Sequence, residues 1–197
     1  MASPPSRNGS SRSAAIATEA ARLFAQRGYG ATSIDDIGAA AGVSGPAIYW
    51  HYPGKQALLA AMLVDISERL LAGGLRCVEL SSSPADALER LVGQQVDFAL
   101  SEPHLIVVHT RDLHHLEPAD AHRVRSLQRQ YVDVWVDVIV QLFPDQQRTT
   151  LTSAAQAAIG LVNSTPYLDR GTVTELGNVL RSMALAAIGA MGQTTRP

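Results

Sequence analysis

One lysine stands alone in this chain, at a position where a cation can meet a phosphate. Lys55 is the only lysine among 197 residues. It follows Pro53 and Gly54 and opens a predicted helix, so its ammonium and the free N–H groups of the first turn can both face an anion. We expect a phosphate contact here, and the alternative is a solvated surface charge.

The histidines also cluster, which raises the question of a metal site. Four of the six lie close together, namely His104, His109, His114 and His115. On a helix the first and last of these are three turns apart, and no cysteine lies near them. We therefore expect no metal and no cofactor. The arginines of this region either attract an anionic ligand or form a solvated helix face; they are Arg111, Arg123, Arg125 and Arg129.

Catalytic motifs are missing from the chain. It contains no nucleophile elbow, phosphate-binding loop or dinucleotide fingerprint, so an enzyme is not expected. The formal net charge of −2 excludes a globally basic nucleic-acid binder, but residues 1–55 hold five basic and three acidic residues. This asymmetry is typical of a chain whose N-terminal part alone meets a polyanion.

The composition indicates a folded cytoplasmic protein. Hydrophobic residues make up 46% of the chain, and the single cysteine, Cys77, excludes a disulfide framework. Residues 1–12 are predicted to be a disordered tail. Residues 149–168 carry no charge, yet their many Thr, Ser, Gln and Asn side chains are too polar to favour lipid, and we expect no membrane partner.

The elements that position these groups are predicted to be helices. A first helix from about residue 14 ends before Gly28, Ser33 caps a short second helix, and Ser44 caps a third over residues 45–52. This order of long helix, short helix, tight turn and short helix is the helix-turn-helix pattern. A fourth helix is predicted from Lys55 to about Leu71, ending before Gly73-Gly74.

The remaining segments are also predicted to be helical. Their expected ranges are 83–101, 104–116, 119–143, 145–165 and 172–191. Valine alternates between Val132 and Val140, which is a strand signal. Helix is favoured there because apolar and polar side chains separate onto two faces of a helix. The fold class is therefore all-α, with about nine helices.

From Ile16 to Leu59 the chain resembles the DNA-binding domain of the TetR family of bacterial transcriptional regulators. The shared features are Ala20, Phe24, Gly28-Tyr29, Thr32-Ser33-Ile34, Ile37, Ala41-Gly42-Val43-Ser44, Tyr49, His51-Tyr52, Lys55 and Leu58-Leu59. The resemblance implies a helix-turn-helix domain over residues 13–54. It also implies an effector-binding and dimerisation domain over residues 55–192.

The resemblance assigns contacts to operator DNA. It implies that Thr32, Tyr49, His51 and Lys55 touch the phosphate backbone, with Ser33 beside them. Base edges are met first by the N-terminal residues of the recognition helix, which are Ser44, Gly45, Pro46 and Ala47. Because the last three offer almost no hydrogen bonds, we expect base reading by Ser44, by apolar contact, by Trp50 and by DNA shape.

The two C-terminal helices are predicted to form a homodimer interface. They lack charge and are rich in small residues, so a four-helix bundle across a two-fold axis would cover them. The residues expected there are Ala154, Ala158, Leu161, Leu180, Met183 and Ala187. Burial within one monomer is the alternative.

The middle helices are expected to hold a small-molecule effector. The predicted pocket residues are Phe98, His109, Arg111, Tyr131, Trp135, Val138 and Asn163. The effector is either apolar or acyl-coenzyme-A-like, since thioester phosphates favour arginine. The predicted function is a ligand-responsive cytoplasmic repressor, found on the nucleoid when bound to DNA. A DNA-binding regulator without an effector is the alternative.

Overall fold

The computed structural model describes residues 7–168 and 172–192, and within those ranges it contains nine α-helices and no strand. The helices are α1 (Arg7–Arg27), α2 (Ile34–Ala40), α3 (Gly45–Tyr49), α4 (Lys55–Glu79), α5 (Pro84–Ser101), α6 (Pro103–Asp112), α7 (Pro118–Leu142), α8 (Arg148–Val162) and α9 (Val173–Gly189). Short 3-10 turns follow three of them, at Leu113–His115, Thr165–Tyr167 and Ala190–Gly192. The all-α prediction is confirmed, including helix over the alternating valines.

The predicted starts and stops of the first helices follow from local chemistry. Ser33 Oγ accepts the backbone N–H of Asp36 at 3.0 Å, and the Asp36 carboxylate accepts the backbone N–H of Ser33 at 2.9 Å. This reciprocal cap starts α2. Gly28 and Gly42 follow α1 and α2 with φ of +93° and +66°, a backbone conformation that favours glycine.

Two predicted boundaries differ most from the structure. The first is the end of the predicted tail over residues 1–12: residues 7–12 belong to α1, while residues 1–6 lie outside the described residues. Once the apolar face beyond Ala14 nucleates a helix, each added residue costs only about 0–1 kcal/mol in propensity.

The second boundary is the end of α4, which runs through Gly73-Gly74 to Glu79. A Cβ placed on Gly74 would lie 2.9 Å from Cε2 of Tyr131. The glycine therefore lets α7 pack closely against α4, and it does not end the helix.

Two hydrophobic clusters share the helices. One joins α1, α2 and α3 to the first half of α4 and to residues of α6 and α7, and its fully buried members include Phe24, Ile48 and Leu63. The other fills the space between α5, α7, α8 and α9 around Trp135. The predicted domain boundary at residue 54 thus lies inside a continuous core, because two short helices need α4 and α6 to bury their apolar faces.

The uncharged C-terminal segment packs on neighbouring helices. Leu151, Ala155, Ala158 and Val162 of α8 are buried against the core formed with α7 and α9. No helix in the described part of the chain has the length and apolar character needed to cross a bilayer.

Candidate functional site

The N-terminal helices meet at two glycines that bring α2 and α3 together. A Cβ on Gly38 would lie 2.8 Å from the carbonyl oxygen of Val43, and a Cβ on Gly45 would collide with the Asp35 carboxylate. The close approach buries Ile48 of α3 completely. The opposite side of α3 and the residue that follows it therefore face outward.

That outward side carries two large aromatic side chains. Tyr49 is 56% exposed and Trp50 is 87% exposed. Ser44 is exposed at the N-cap position of α3, but its hydroxyl makes no capping hydrogen bond, contrary to the prediction. Pro46 is also exposed. Exposed aromatics beside a free hydroxyl are typical of a surface that binds a partner.

The other residues predicted to contact DNA are less exposed. Gly45, Ala47 and His51 are half-buried. The Ser33 hydroxyl contacts the Asp36 carboxylate at 2.6 Å. Thr32 is buried, and its hydroxyl donates to the carbonyl of Gly28 at 2.9 Å. The structure thus gives the Thr32 and Ser33 hydroxyls partners within the protein.

Lys55 points into the fold. Its ammonium donates to the carbonyl oxygens of Tyr29 and Thr32, both at 2.8 Å, and lies 4.4 Å from the centre of the Tyr29 ring. It therefore holds the turn between α1 and α2 and is not a solvated surface charge. A phosphate contact by Lys55 stays a prediction and rests on the one N–H that these two bonds leave.

A cavity of about 240 Å³ lies between α4, α5, α6, α7 and α8. Its lining residues are Ile66, Ser67, Leu70, Gln95, Phe98, Leu105, Ile106, His109, Thr110, Gln128, Tyr131, Val132, Ile159 and Asn163. Four residues of the predicted pocket belong to it: Phe98, His109, Tyr131 and Asn163. Ligand binding by them remains a prediction.

Three predicted pocket residues lie elsewhere. Trp135 is fully buried in the core, where its ring meets that of Tyr131 edge-on at 6.2 Å. Val138 is buried in the same core. Neither residue lines the cavity, because the apolar face of α7 is wider than the part that meets the cavity. Arg111 is also outside the lining, because its side chain turns toward α1.

The polar side chains of the lining were largely missed, although a signal existed. Each missed polar residue lies three or four positions from another lining residue that is apolar or was itself predicted. Examples are Gln95 with Phe98 and Gln128 with Tyr131. Such spacing places both members on one helix face.

Hydrogen bonds join the polar groups of the cavity into a chain. The Tyr131 hydroxyl donates to Gln95 Oε1 at 3.0 Å, and Gln95 Nε2 donates to Asn163 Oδ1 at 2.8 Å. Burial raises the pKa of Tyr131. On the other side Gln128 contacts His109 Nε2, and burial lowers the pKa of His109 more than this contact raises it. Both titratable groups are therefore neutral near pH 7.

Helix α6 connects the cavity to the DNA-binding helices. His109 and Thr110 line the cavity, and the next residue, Arg111, donates to the carbonyl oxygens of Phe24 and Ala25 at the end of α1. The guanidinium also pairs with the buried carboxylate of Asp112 at 3.1 Å. One short helix thus carries residues of both regions.

The His cluster takes part in this junction. The His115 ring stacks on Tyr29 at 4.5 Å and contacts His114 at 4.0 Å. Across residues 7–168 and 172–192, no three His, Cys, Asp or Glu side chains are grouped to hold a metal ion.

The predicted dimer residues divide between surface and core. Met183 is 51% exposed and Ala187 is exposed, whereas Ala154 and Leu161 are half-buried. Ala158 and Leu180 are buried within the monomer and face its core. The outer face of the two helices is mostly uncharged, with Glu175 exposed near the start of α9; its uncharged members include Gln156, Ala157, Gly160, Val179, Met183, Ala186, Ala187 and Ala190.

Comparisons with known proteins agree with this architecture. Residues 16–62 match the family described as bacterial regulatory proteins, tetR family, and residues 81–188 match the tetracyclin repressor-like C-terminal domain. The chain is 30% identical over 127 residues to the HTH-type transcriptional repressor KstR2 of Mycobacterium tuberculosis. That alignment spans 62% of this chain and 62% of the repressor, which is less than two thirds of its length.

Solved structures share the fold over nearly the whole chain. A TetR-family regulator from Bordetella parapertussis superposes with a TM-score of 0.79 at 24% identity, covering 91% of this chain and 93% of that one. AibR in complex with isovaleryl coenzyme A and operator DNA gives a TM-score of 0.72 at 20% identity, covering 87% and 97%. Because the C-terminal match alone spans more than half of the sequence, this chain belongs to the TetR family of bacterial regulatory proteins.

Proposed function

We propose that this chain is a DNA-binding transcriptional repressor that acts as a homodimer and leaves a palindromic operator when a small molecule occupies its cavity. The observation that carries the proposal is the outward surface formed by Ser44, Tyr49 and Trp50 on a helix-turn-helix. A cavity of about 240 Å³ lies next to the same helices and could hold the effector. The family supports the proposal, since KstR2 is a named repressor and AibR was solved with operator DNA.

The short helix α3 enters the major groove in this proposal. Tyr49 contacts a phosphate, while Ser44 and the Trp50 ring meet base edges or the thymine methyl group. Two such helices must lie about 34–36 Å apart to read successive turns of DNA. The dimer sets that distance.

The dimer forms through the outer face of α8 and α9. Met183, Val179 and Ala187 lie exposed there, and most side chains of the face are uncharged. Small uncharged residues let helices approach closely, and a two-fold axis covers the same face of both copies.

Helix α6 transmits the effector signal. A molecule in the cavity presses on Ile106, His109 and Thr110, and Arg111 passes the movement to the end of α1 through Phe24 and Ala25. A ligand that favours the spacing unable to bind DNA by about 2–3 kcal/mol weakens operator binding about 30- to 150-fold.

A regulator without an effector is the second candidate, and the cavity counts against it. A core of the same helices with no effector would be packed solid, because interiors rarely keep voids much larger than a water molecule. An open space of about 240 Å³ with an apolar wall and a few hydrogen-bonding side chains instead supports a site for a small ligand.

Fluorescence anisotropy on DNA fragments tiling the region around the protein's own gene tests the proposal. We expect tight binding to one fragment, resistant to competitor DNA, with two subunits or a multiple of two per site. The variant Trp50→Ala should lose this binding. The control Leu75→Ala should keep it, since Leu75 is 54% exposed on the distant end of α4.

If binding is weak and equal on all fragments, the next experiment selects preferred sequences from a pool of random DNA. If no sequence is then preferred over competitor DNA, the proposal is wrong. Binding that Trp50→Ala leaves unchanged would show that the surface assigned to DNA does not meet it.

A further inference from the structure

The cavity lining carries no formal charge. None of its fourteen residues is Asp, Glu, Lys or Arg, and its one histidine is kept neutral by burial. Most of the wall is apolar, with side chains such as Ile66, Leu70 and Phe98. Burying an unpaired carboxylate or ammonium in such surroundings costs several kcal/mol.

The polar groups of the wall are ready to meet a neutral molecule. The Asn163 carbonyl oxygen is occupied by Gln95, so its amide N–H groups are left to donate. The hydroxyl of Ser67 donates to the carbonyl of Leu63 in its own helix, at 2.7 Å, which leaves its oxygen as an acceptor. A guest therefore finds a donor and an acceptor, but no counter-ion.

Two of the arginines near the cavity are paired with carboxylates. Arg111 pairs with Asp112 and the end of α1, and Arg123 pairs with Glu68 at 2.6 Å. A wider groove of about 840 Å³ beside α1 contains Arg69, whose guanidinium is held at 2.8 Å by both Asp65 and Glu102. An anion entering that groove meets two carboxylates along with the guanidinium.

The size of the cavity points the same way. Sites for drug-sized ligands measure roughly 300–1,000 Å³. At about 240 Å³, this cavity is too small for a whole nucleotide-bearing thioester.

We infer that the effector is a compact uncharged molecule, mainly apolar, with one hydrogen-bond acceptor facing Asn163 and one donor facing Ser67 or Gln128. Small primary amides, alcohols and phenols have this chemistry, whereas free carboxylates and coenzyme A thioesters do not. This inference rests on the proposed function and specifies the ligand class of its cavity.

Binding of matched probes to the full-length protein tests the inference without DNA. Isovaleramide, isovalerate and isovaleryl coenzyme A share one acyl group in neutral, anionic and thioester form. A fragment set with equal numbers of neutral, anionic and cationic members accompanies them. Saturation-transfer NMR, repeated with the plugged variant Ser67→Phe, identifies signals that depend on the cavity. We expect cavity-dependent signals from the neutral probes, and we expect these probes to bind at least about tenfold more tightly than their charged counterparts.

A charge placed in the cavity should reverse the preference. Gln128→Lys introduces an ammonium at the wall and should make carboxylates the tighter ligands. Gln130→Lys adds the same charge on the exposed side of α7 and should leave the preference for neutral probes unchanged. Thermal melting checks that each variant folds, and Ile159→Phe replaces Ser67→Phe as the plug if that variant unfolds.

Three outcomes would overturn the inference. The first is that a carboxylate, an ammonium or isovaleryl coenzyme A binds the cavity as tightly as the neutral probes or more tightly. The second is that no probe binds in a cavity-dependent way. The third is that Gln128→Lys leaves the preference for neutral probes unchanged. Operator binding is measured separately. A thioester that binds the cavity and releases DNA would therefore refute the ligand class and keep the proposed function.

Discussion

The recognition surface, formed by Ser44, Tyr49 and Trp50, differs from the cavity in whether its polar groups have partners within the protein. At α3 the polar and aromatic side chains point outward. The Ser44 hydroxyl makes no capping hydrogen bond, and Trp50 is almost fully exposed. In the cavity most buried polar groups have partners within the protein, as Gln95 does with Asn163 and Tyr131. A polyanion is met by groups left free, whereas polar groups buried in a protein interior are mostly hydrogen-bonded within the protein.

The contrast shows that the two regions respond to different perturbations. Changes at the recognition surface should alter affinity and leave stability intact. Changes around the cavity and along α6 should alter stability or coupling first.

The two tryptophans make the largest test of this contrast. Trp135→Ala empties a fully buried site and should lower the free energy of unfolding by about 3–5 kcal/mol. Trp50→Ala removes an exposed ring and should change it by less than about 0.5 kcal/mol. Urea denaturation measures both, and a Trp50→Ala variant as unstable as Trp135→Ala would break the contrast.

Lys55 is the exception within the recognition region, and its variants sharpen the contrast. Lys55→Ala removes two charge-assisted hydrogen bonds to Tyr29 and Thr32 and should lower the free energy of unfolding by about 1.5–3 kcal/mol. Tyr49→Phe should instead weaken binding to all DNA sequences alike, with unchanged stability. Titrations over a salt series separate the roles. If Lys55→Ala reduces by about one the slope of log affinity against log salt concentration, Lys55 does contact a phosphate.

Arg111 tests the connection between the regions. Arg111→Ala leaves the Asp112 carboxylate buried and should lower the free energy of unfolding by about 1–2 kcal/mol, less than for a fully buried pair because the arginine is partly exposed. Hydrogen exchange at the end of α1 should quicken. The double variant Arg111→Leu with Asp112→Asn should recover stability without restoring that protection. Unchanged exchange in both variants would refute the link.

The smallest expected effect is the pH dependence from His109. Because burial lowers its pKa below the ordinary 6.5, the unfolded chain takes up a proton that the folded protein resists. Stability contributed by neutral His109 is complete above pH 6.5 and is lost as the pH falls below it. His109→Gln should flatten the stability curve in that window.

Carboxylates provide the internal control for this measurement. Hydrogen bonds at helix starts lower the pKa of Asp36, Asp86 and Glu175, so their contributions disappear only below about pH 4.5. A curve for His109→Gln with the original slope near pH 6 would show that another group titrates there.

Local patterns predicted most of the fold. Ser33 with Asp36, Ser83 with Asp86 and Thr172 with Glu175 start helices where the sequence indicates. Gly73-Gly74 misled the prediction because a glycine that ends a helix and one that admits a neighbouring helix look the same in sequence. Only the position of Tyr131 distinguishes them.

The candidate sites were predicted unevenly for the same reason. Exposure of Tyr49 and Trp50 follows from a short helix whose apolar residue, Ile48, must face inward. The pocket set mixed core and lining residues, since Trp135 and Tyr131 lie on the same broad apolar face of α7. Burial alone does not say which of them meets a void.

Helix order, the caps at Ser33, Ser83 and Thr172 and the helix-turn-helix are thus determined by the sequence itself, because they depend on groups within a few residues of each other. The direction of the Lys55 ammonium, the turn of Arg111 toward α1 and the uncharged wall of the cavity were decided by the tertiary structure. Each depends on which distant carbonyl or carboxylate packing brings within about 3 Å, and long side chains take the partner that packing provides.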